Sequence, residues 1–251
     1  MITTTILLCL AGFLASFVDS IAGGGGLISV PAFMLAGLSP HMVLGTNKFS
    51  ATAGSFTSSL KFIKSGKADL KLLRYLIPFT LIGSMLGVRA VLYIDQKFLT
   101  PLVLILIMFI GIYTLFSKSL GLEDNFKGLT KKNVRFGILL ALSLGFYDGF
   151  FGPGTGSFLV FGFINIFGFN FVSSSANARI LNFTSNVTAL VLFALSGKIN
   201  YMFGVPVAIA MILGARMGTS VALSKGSKLI KPIFVTMSLA VAVKMLFSML
   251  Q

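Results

Sequence analysis

Two carboxylates and two cations sit where an apolar chain has least reason to carry them. Asp19 and Asp148 each precede a glycine-rich break. The first break reads Phe17-Val18-Asp19-Ser20-Ile21-Ala22-Gly23-Gly24-Gly25-Gly26. The second reads Phe146-Tyr147-Asp148-Gly149-Phe150-Phe151-Gly152-Pro153-Gly154-Thr155-Gly156. Lys48 and Arg179 lie inside later apolar segments, about six to eight residues from the segment's start and so roughly 10 Å from its entry face at helical rise. An ionisable side chain at that depth is a functional candidate by default.

The chemistry open to these residues is anion binding and proton transfer. A helix restarting after a break presents free N–H groups and the positive end of its dipole, which suits an anion. Gly25, Gly26, Gly154, Thr155 and Gly156 would let backbone approach a ligand closely. Lys48 stands among Gly45-Thr46-Asn47-Lys48-Phe49-Ser50, and Arg179 precedes Asn182, Thr184 and Asn186. A cation beside Asn47, Ser50, Asn182, Thr184 and Asn186 offers a small oxyanion one charge and several donors. The alternative is a cation that snorkels or pairs with Asp19 or Asp148. Each aspartate in turn either carries a coupling proton or caps the helix that follows it. No cluster has metal-ligand spacing, and no Ser/His/Asp or Cys/His set is present, so no catalysis, metal or cofactor is expected. Neither break is a nucleotide motif, since no Gly-Lys-Ser/Thr ending follows.

The elements that position these residues are membrane helices. Of the 251 residues 56% are hydrophobic and 10% charged, against about 25% charged in soluble domains. The fold class expected is all-α and polytopic, with about 8–10 transmembrane segments or half-helices. A barrel would show short alternating strands instead. The formal charge of +14 falls mostly between apolar segments. It reads as topology signal and contact to anionic lipid, not as a nucleic-acid surface. The single Cys9 cannot form an intramolecular disulfide. His41, the one histidine, reads as interfacial, and Arg89 and Arg216 as snorkelling.

The apolar segments run at about 4–20, 25–38, 41–62, 72–93, 99–116, 133–150, 154–170, 174–196, 202–223 and 229–249. Arms of about 17 residues beside each break reach about 25 Å, short of the ~30 Å hydrocarbon core. Each break therefore belongs to a re-entrant hairpin or to two short tilted helices.

The second half repeats the first. Phe17, Asp19, Gly23 and Gly25 match Phe146, Asp148, Gly152 and Gly154 at an offset of 129. Beyond the break the offset becomes 131: Lys48 meets Arg179, Ser65-Gly66-Lys67 meets Ser196-Gly197-Lys198, and Gly83 and Gly87 meet Gly214 and Gly218. Lys97 and Pro101 meet Lys228 and Pro232, and Leu115-Phe116-Ser117 meets Leu246-Phe247-Ser248. The expected organisation is a first repeat at 1–117 with its hinge at 19–26, a linker at 118–132, and a second repeat at 133–251 with its hinge at 148–156. An odd number of crossings per repeat makes the second inverted relative to the first.

With Lys61, Lys64, Lys67, Lys71 and Arg74 in the cytoplasm, the linker and the Lys225-Lys228-Lys231 loop fall inside too, as the positive-inside rule requires. Both termini are then expected on the non-cytoplasmic side. The Gly83/Gly87 and Gly214/Gly218 pairs read as close helix packing within the chain, with a homodimer contact as the alternative.

Several of these stretches resemble the TauE/SafE (sulfite exporter-like) permease family. They are Asp19-Ser20-Ile21-Ala22-Gly23-Gly24-Gly25-Gly26, Gly45-Thr46-Asn47-Lys48, Gly54-Ser55, Asp148–Ser157, and Leu181–Asn186 followed by Ser196-Gly197-Lys198. The resemblance spans nearly the whole chain. It implies secondary transport of small anions such as sulfite or organosulfonates across a bacterial inner membrane, mostly as export and coupled to protons. Arg179 stands where many members are expected to carry Lys. The partners expected are a small anionic substrate, the lipid bilayer and protons, with a passive anion channel as the rival function.

Overall fold

A computed structural model of the chain describes residues 2–103, 105–106, 123–126 and 128–224. Residues 118–122 and 127 of the linker, and the segment at 229–249 with Lys244, lie outside the described residues. The described residues form helices joined by turns and loops, with no strand among them. The helices are α1 (Ile2–Ala22), α2 (Gly26–Leu35), α3 (Pro40–Lys64), α4 (Leu70–Tyr93), α5 (96–103), α6 (Lys131–Phe150), α7 (Thr155–Phe167), α8 (Phe171–Leu195) and α9 (Tyr201–Ser224).

Local sequence sets these boundaries. Pro40 opens α3 at a position where a missing N–H costs nothing. Asp69 caps α4 by accepting from Leu72 N–H at 3.0 Å. Asn170 does the same for α8 through Ser173 N–H at 2.9 Å. Thr130 and Asn133 form a reciprocal capping box at the start of α6. Starts and ends of α3 and α8 both lie 131 positions apart, α4 and α9 begin 131 apart, and α2 and α7 begin 129 apart. The helix boundaries thus follow the offsets seen in the sequence.

Four described helices are long and apolar enough to cross a membrane: Ile2–Ile21, α4, α8 and α9. α3 has 25 residues and the length to span, but it carries a buried polar face of Thr46, Asn47, Lys48, Ser50, Ser55, Ser58 and Ser59. α6 opens with Lys131, Lys132 and Arg135. The arms beside the breaks are not equal, as about 17 residues each had suggested. α1 has 21 residues against 10 in α2, and α6 has 20 against 13 in α7. Each break therefore joins an arm of membrane length to one about half to two-thirds as long. The cause is that glycine or alanine ends the short arm early, at Ala36-Gly37 and at Gly168.

The tightest packing is between helices of different halves. On α4, a Cβ at Gly83 would overlap the Leu142 carbonyl oxygen of α6, and one at Gly87 that of Phe146. On α9, Gly214 and Gly218 meet Phe13 and Phe17 of α1 in the same way. The small-residue pairs thus serve packing within the chain. In both seams the residue numbers rise together, so the paired helices run parallel. By contrast α3 and α8 run antiparallel: Gly45 lies on Phe193, Lys48 Nζ donates to Asn186, and Ser59 Oγ donates to the Arg179 carbonyl. Asp69 N–H donates to Asn177 Oδ1 and Asn200 N–H to Thr46 Oγ1, each at 2.9 Å, and these two bonds are mates at the offset of 131.

Apolar side chains gather into two buried clusters. One is built on Phe62, Leu72, Leu76, Phe163 and Leu181, the other on Leu27, Phe33, Leu44, Val88, Phe151 and Phe193. Other apolar side chains stay exposed, among them Ile6, Leu7, Leu10 and Leu14 on α1 and Ile209 and Leu213 on α9. For a membrane protein that surface faces lipid. His41, near the start of α3, is buried, and its Nε2 lies 3.0 Å from the Val91 carbonyl oxygen. The Val91 carbonyl also accepts the Ile94 N–H at 3.2 Å, so the imidazole is a second partner at the end of α4.

Candidate functional site

The two breaks meet in the interior. A Cβ at Gly23 would overlap the backbone of Gly156 and Ser157, and one at Gly26 would press on Pro153. Only glycine permits so close an approach of the two chains. Gly23, Gly24, Gly152 and Gly154 all have positive φ, which any other L-residue adopts at a cost.

Both cations are ion-paired, and each pairs with the aspartate of the other half. Lys48 Nζ is 2.9 Å from Asp148 Oδ2. Arg179 Nη1 pairs with Asp19 Oδ2. Lys48 matches Arg179, and Asp148 matches Asp19, so the two bridges are mates of one another. They are not equally enclosed. The side chains of Lys48 and Asp148 are 3% and 2% exposed, while Arg179 is 1% and Asp19 25% exposed. Asp19 also accepts the Gly25 N–H at 3.1 Å, so it caps the restarting helix as well as binding a cation. Asp148 takes the Ser185 hydroxyl instead.

A cavity of about 40 Å³ lies against these pairs, room for a few water molecules. Asp19, Asp148, Lys48, Asn47, Asn182 and Asn186 line it, together with Gly25, Gly26, Gly154 and Gly156. Lys48 Nζ donates to Asn186 Oδ1 at 3.0 Å, and Asn186 Nδ2 reaches Ser55 and Asn182 at 3.4 Å each. Thr155, Ser50, Thr184 and Arg179 are not among the described lining residues. Their hydroxyls or charge are spent nearby. Thr155 Oγ1 donates to the Gly152 carbonyl at 2.7 Å, Ser50 Oγ to Gly204 O at 3.0 Å, and Thr184 Oγ1 to Ile180 O at 2.9 Å. The Arg179 guanidinium lies behind the wall, against Gly156, and its buried Nη2 has no hydrogen-bond partner among the described residues.

Sequence reasoning missed Ser29 and Ser185. Ser29 lies one turn into α2, lines the cavity, and donates to Asn47 Oδ1 at 2.6 Å. Ser185 stands one turn after Asn182 on α8, and that spacing could have flagged it. Met211 of α9 also lines the cavity, and no sequence signal marked it.

A membrane-length helical bundle that buries crossed charge pairs around a central cavity has the build of a membrane transporter. The chain belongs to the sulfite exporter TauE/SafE family, whose model matches residues 8–245. Among curated relatives it is similar to a protein of Haemophilus influenzae named "Probable membrane transporter protein". The two are 41% identical over 242 residues, which is 96% of this chain and 94% of that one. It is also similar to the Escherichia coli K12 "Probable membrane transporter protein YfcA", 42% identical over 234 residues, 93% of this chain and 86% of the other. A more distant relative is the Bacillus subtilis "Probable membrane transporter protein YunE", 23% identical over 239 residues, covering 86% and 88% of the two chains. No solved structure matches.

Proposed function

We propose that this protein is a secondary transporter that carries a small anion, sulfite or an organosulfonate, out of the cell across the inner membrane by alternating access. The observation that carries the reading is the pair of crossed bridges, Lys48–Asp148 and Arg179–Asp19, beside a cavity lined by hinge glycines. In the resting protein each aspartate holds the place of the anion. A substrate oxyanion takes the cation, aided by N–H groups at the starts of α2 and α7. The displaced carboxylate then accepts a proton, since leaving it ionised and unpaired in a buried site costs several kcal/mol. Proton and anion movements are coupled by that exchange. The cavity holds only a few waters, so an organosulfonate enters when the hinges part.

The antiparallel run of α3 against α8 supports the inverted arrangement of the two halves. In that arrangement the hinges approach from opposite faces of the bilayer and both termini lie outside. A reporter active only in the periplasm, fused after Gln251, is expected to be active; activity of a cytoplasm-only reporter at the same position would sink the topology.

The function is tested with purified protein in liposomes. Wild-type protein is expected to move sulfite or a short organosulfonate, and to move it faster when a pH gradient is imposed. Arg179→Ala is expected to insert normally and to lose at least 90% of the flux. Steady anion current that ignores the pH gradient would replace the carrier with a passive channel. Wild-type flux from Arg179→Ala would remove the guanidinium from the mechanism.

A further inference from the structure

The two hinges are mates in sequence, yet they hold different backbones. In the first, Gly23 and Gly24 have φ of +84° and +96°, and Gly25 has φ −54°. In the second, Gly152 has φ +100°, Pro153 takes a negative φ, and Gly154 has φ +86°. Position by position, Gly24 faces Pro153 and Gly25 faces Gly154 at the offset of 129. The signs of φ at these two positions are therefore exchanged between the hinges.

The exchange is possible in one direction only. A proline ring fixes φ near −65°, so the second hinge cannot take the form of the first. Glycine tolerates either sign, so the first hinge can take the form of the second. Side chains reinforce the difference. Tyr147 Oη donates to the Pro153 carbonyl at 2.6 Å and Thr155 Oγ1 to the Gly152 carbonyl at 2.7 Å, strapping the second hinge from both sides. The matching positions in the first hinge are Val18 and Gly26, which carry no hydroxyl.

We propose that the first hinge alone is the moving gate, switching from its own backbone to the one the second hinge holds, while the second hinge stays fixed. The inference rests on the transport reading above and says which half of the site opens. The segment rebuilt in the switch contains the Gly25 N–H that Asp19 accepts. Asp19 thereby loses a partner, and its bridge to Arg179 is the one that loosens. The greater exposure of Asp19 than of Asp148, 25% against 2%, agrees with that order.

Position 24 isolates the backbone from crowding, because a Cβ there would meet nothing closer than Ser157 Oγ at 3.6 Å. Gly24→Pro forces the negative φ of the switched hinge. Gly24→Ala favours it more gently and serves if the proline chain does not fold. Ala51 lines the cavity, so Ala51→Cys in a Cys9→Ala background reports which face of the membrane reaches it. The expected result in liposomes is a shift in labelling by a membrane-impermeant thiol reagent. Labelling moves from one face toward the other in Gly24→Pro or Gly24→Ala, with flux reduced at least tenfold. Pro153→Ala, which keeps a negative φ at 153, is expected to leave the labelling pattern as in the parent. An unchanged pattern in both Gly24 variants, or the same shift from Pro153→Ala, overturns the proposal. Labelling needs no substrate, so failure here is distinct from failure of the flux assay.

Discussion

Replacing Lys48 by methionine is expected to cost about 3–5 kcal/mol of stability, because it strands the buried Asp148 carboxylate without its cation. Adding Asp148→Leu to the same chain is expected to restore most of that loss. A buried pair replaced on both sides by apolar groups of similar size is often neutral or better, since neither desolvation penalty remains. Denaturant unfolding in micelles reads both effects. Transport follows a different pattern: the single and the double variant are both expected to be inactive. A well-folded, inactive double variant assigns the charge pair to function and not to the fold. Wild-type unfolding of Lys48→Met would show that water reaches the pair in the native protein. The mate bridge should behave more mildly. Asp19 is a quarter exposed, so solvent screens what is left when Arg179 goes.

The second large effect is expected at the seams between the halves. Gly87→Ala places a methyl group on the Phe146 carbonyl and the Phe150 amide of α6. Backbone cannot yield as a flexible side chain does, so α4 and α6 must separate. Overpacking of this kind costs about 1–3 kcal/mol, and here the upper end is expected. Gly218→Ala, the mate on α9, meets the Phe17 carbonyl of α1 and is expected to match it within error. Leu86→Ala on the half-exposed face of α4 is the control, with little change. Thermal unfolding in detergent separates the three. The seams also bear on transport, since Phe17 and Phe146 lie two residues before Asp19 and Asp148.

Much of this was legible because it is written locally. The glycine breaks and the small-residue pairs are short-range signals. The offsets of 129 and 131 carried the helix boundaries with them. What the chain could not disclose is tertiary. It named Asp19 and Asp148 as partners for a cation, but the choice of Asp148 for Lys48 depends on α3 crossing α8 in antiparallel fashion. Ser50 and Thr184 read as lining groups because they neighbour Lys48 and the asparagines. The helix surface turns them instead toward carbonyls, Gly204 for one and Ile180 for the other. The early end of α2 was hidden because Leu35 to Leu38 is apolar enough to extend a helix. The backbone turns at Gly37 all the same, with φ +83°.

The crossed bridges also set a timetable for the newborn chain. Asp19 waits for Arg179, 160 residues downstream, and Lys48 waits for Asp148. At a synthesis rate of about 5–20 residues per second the longer wait is on the order of 10 s. Throughout it, α1 and α3 carry charges that lipid solvates poorly, and α1 lacks the helix, α9, that packs along it. The amino-terminal half is therefore an unfinished object when it leaves the ribosome. Its charges are neutralised only once the carboxy-terminal half is in place.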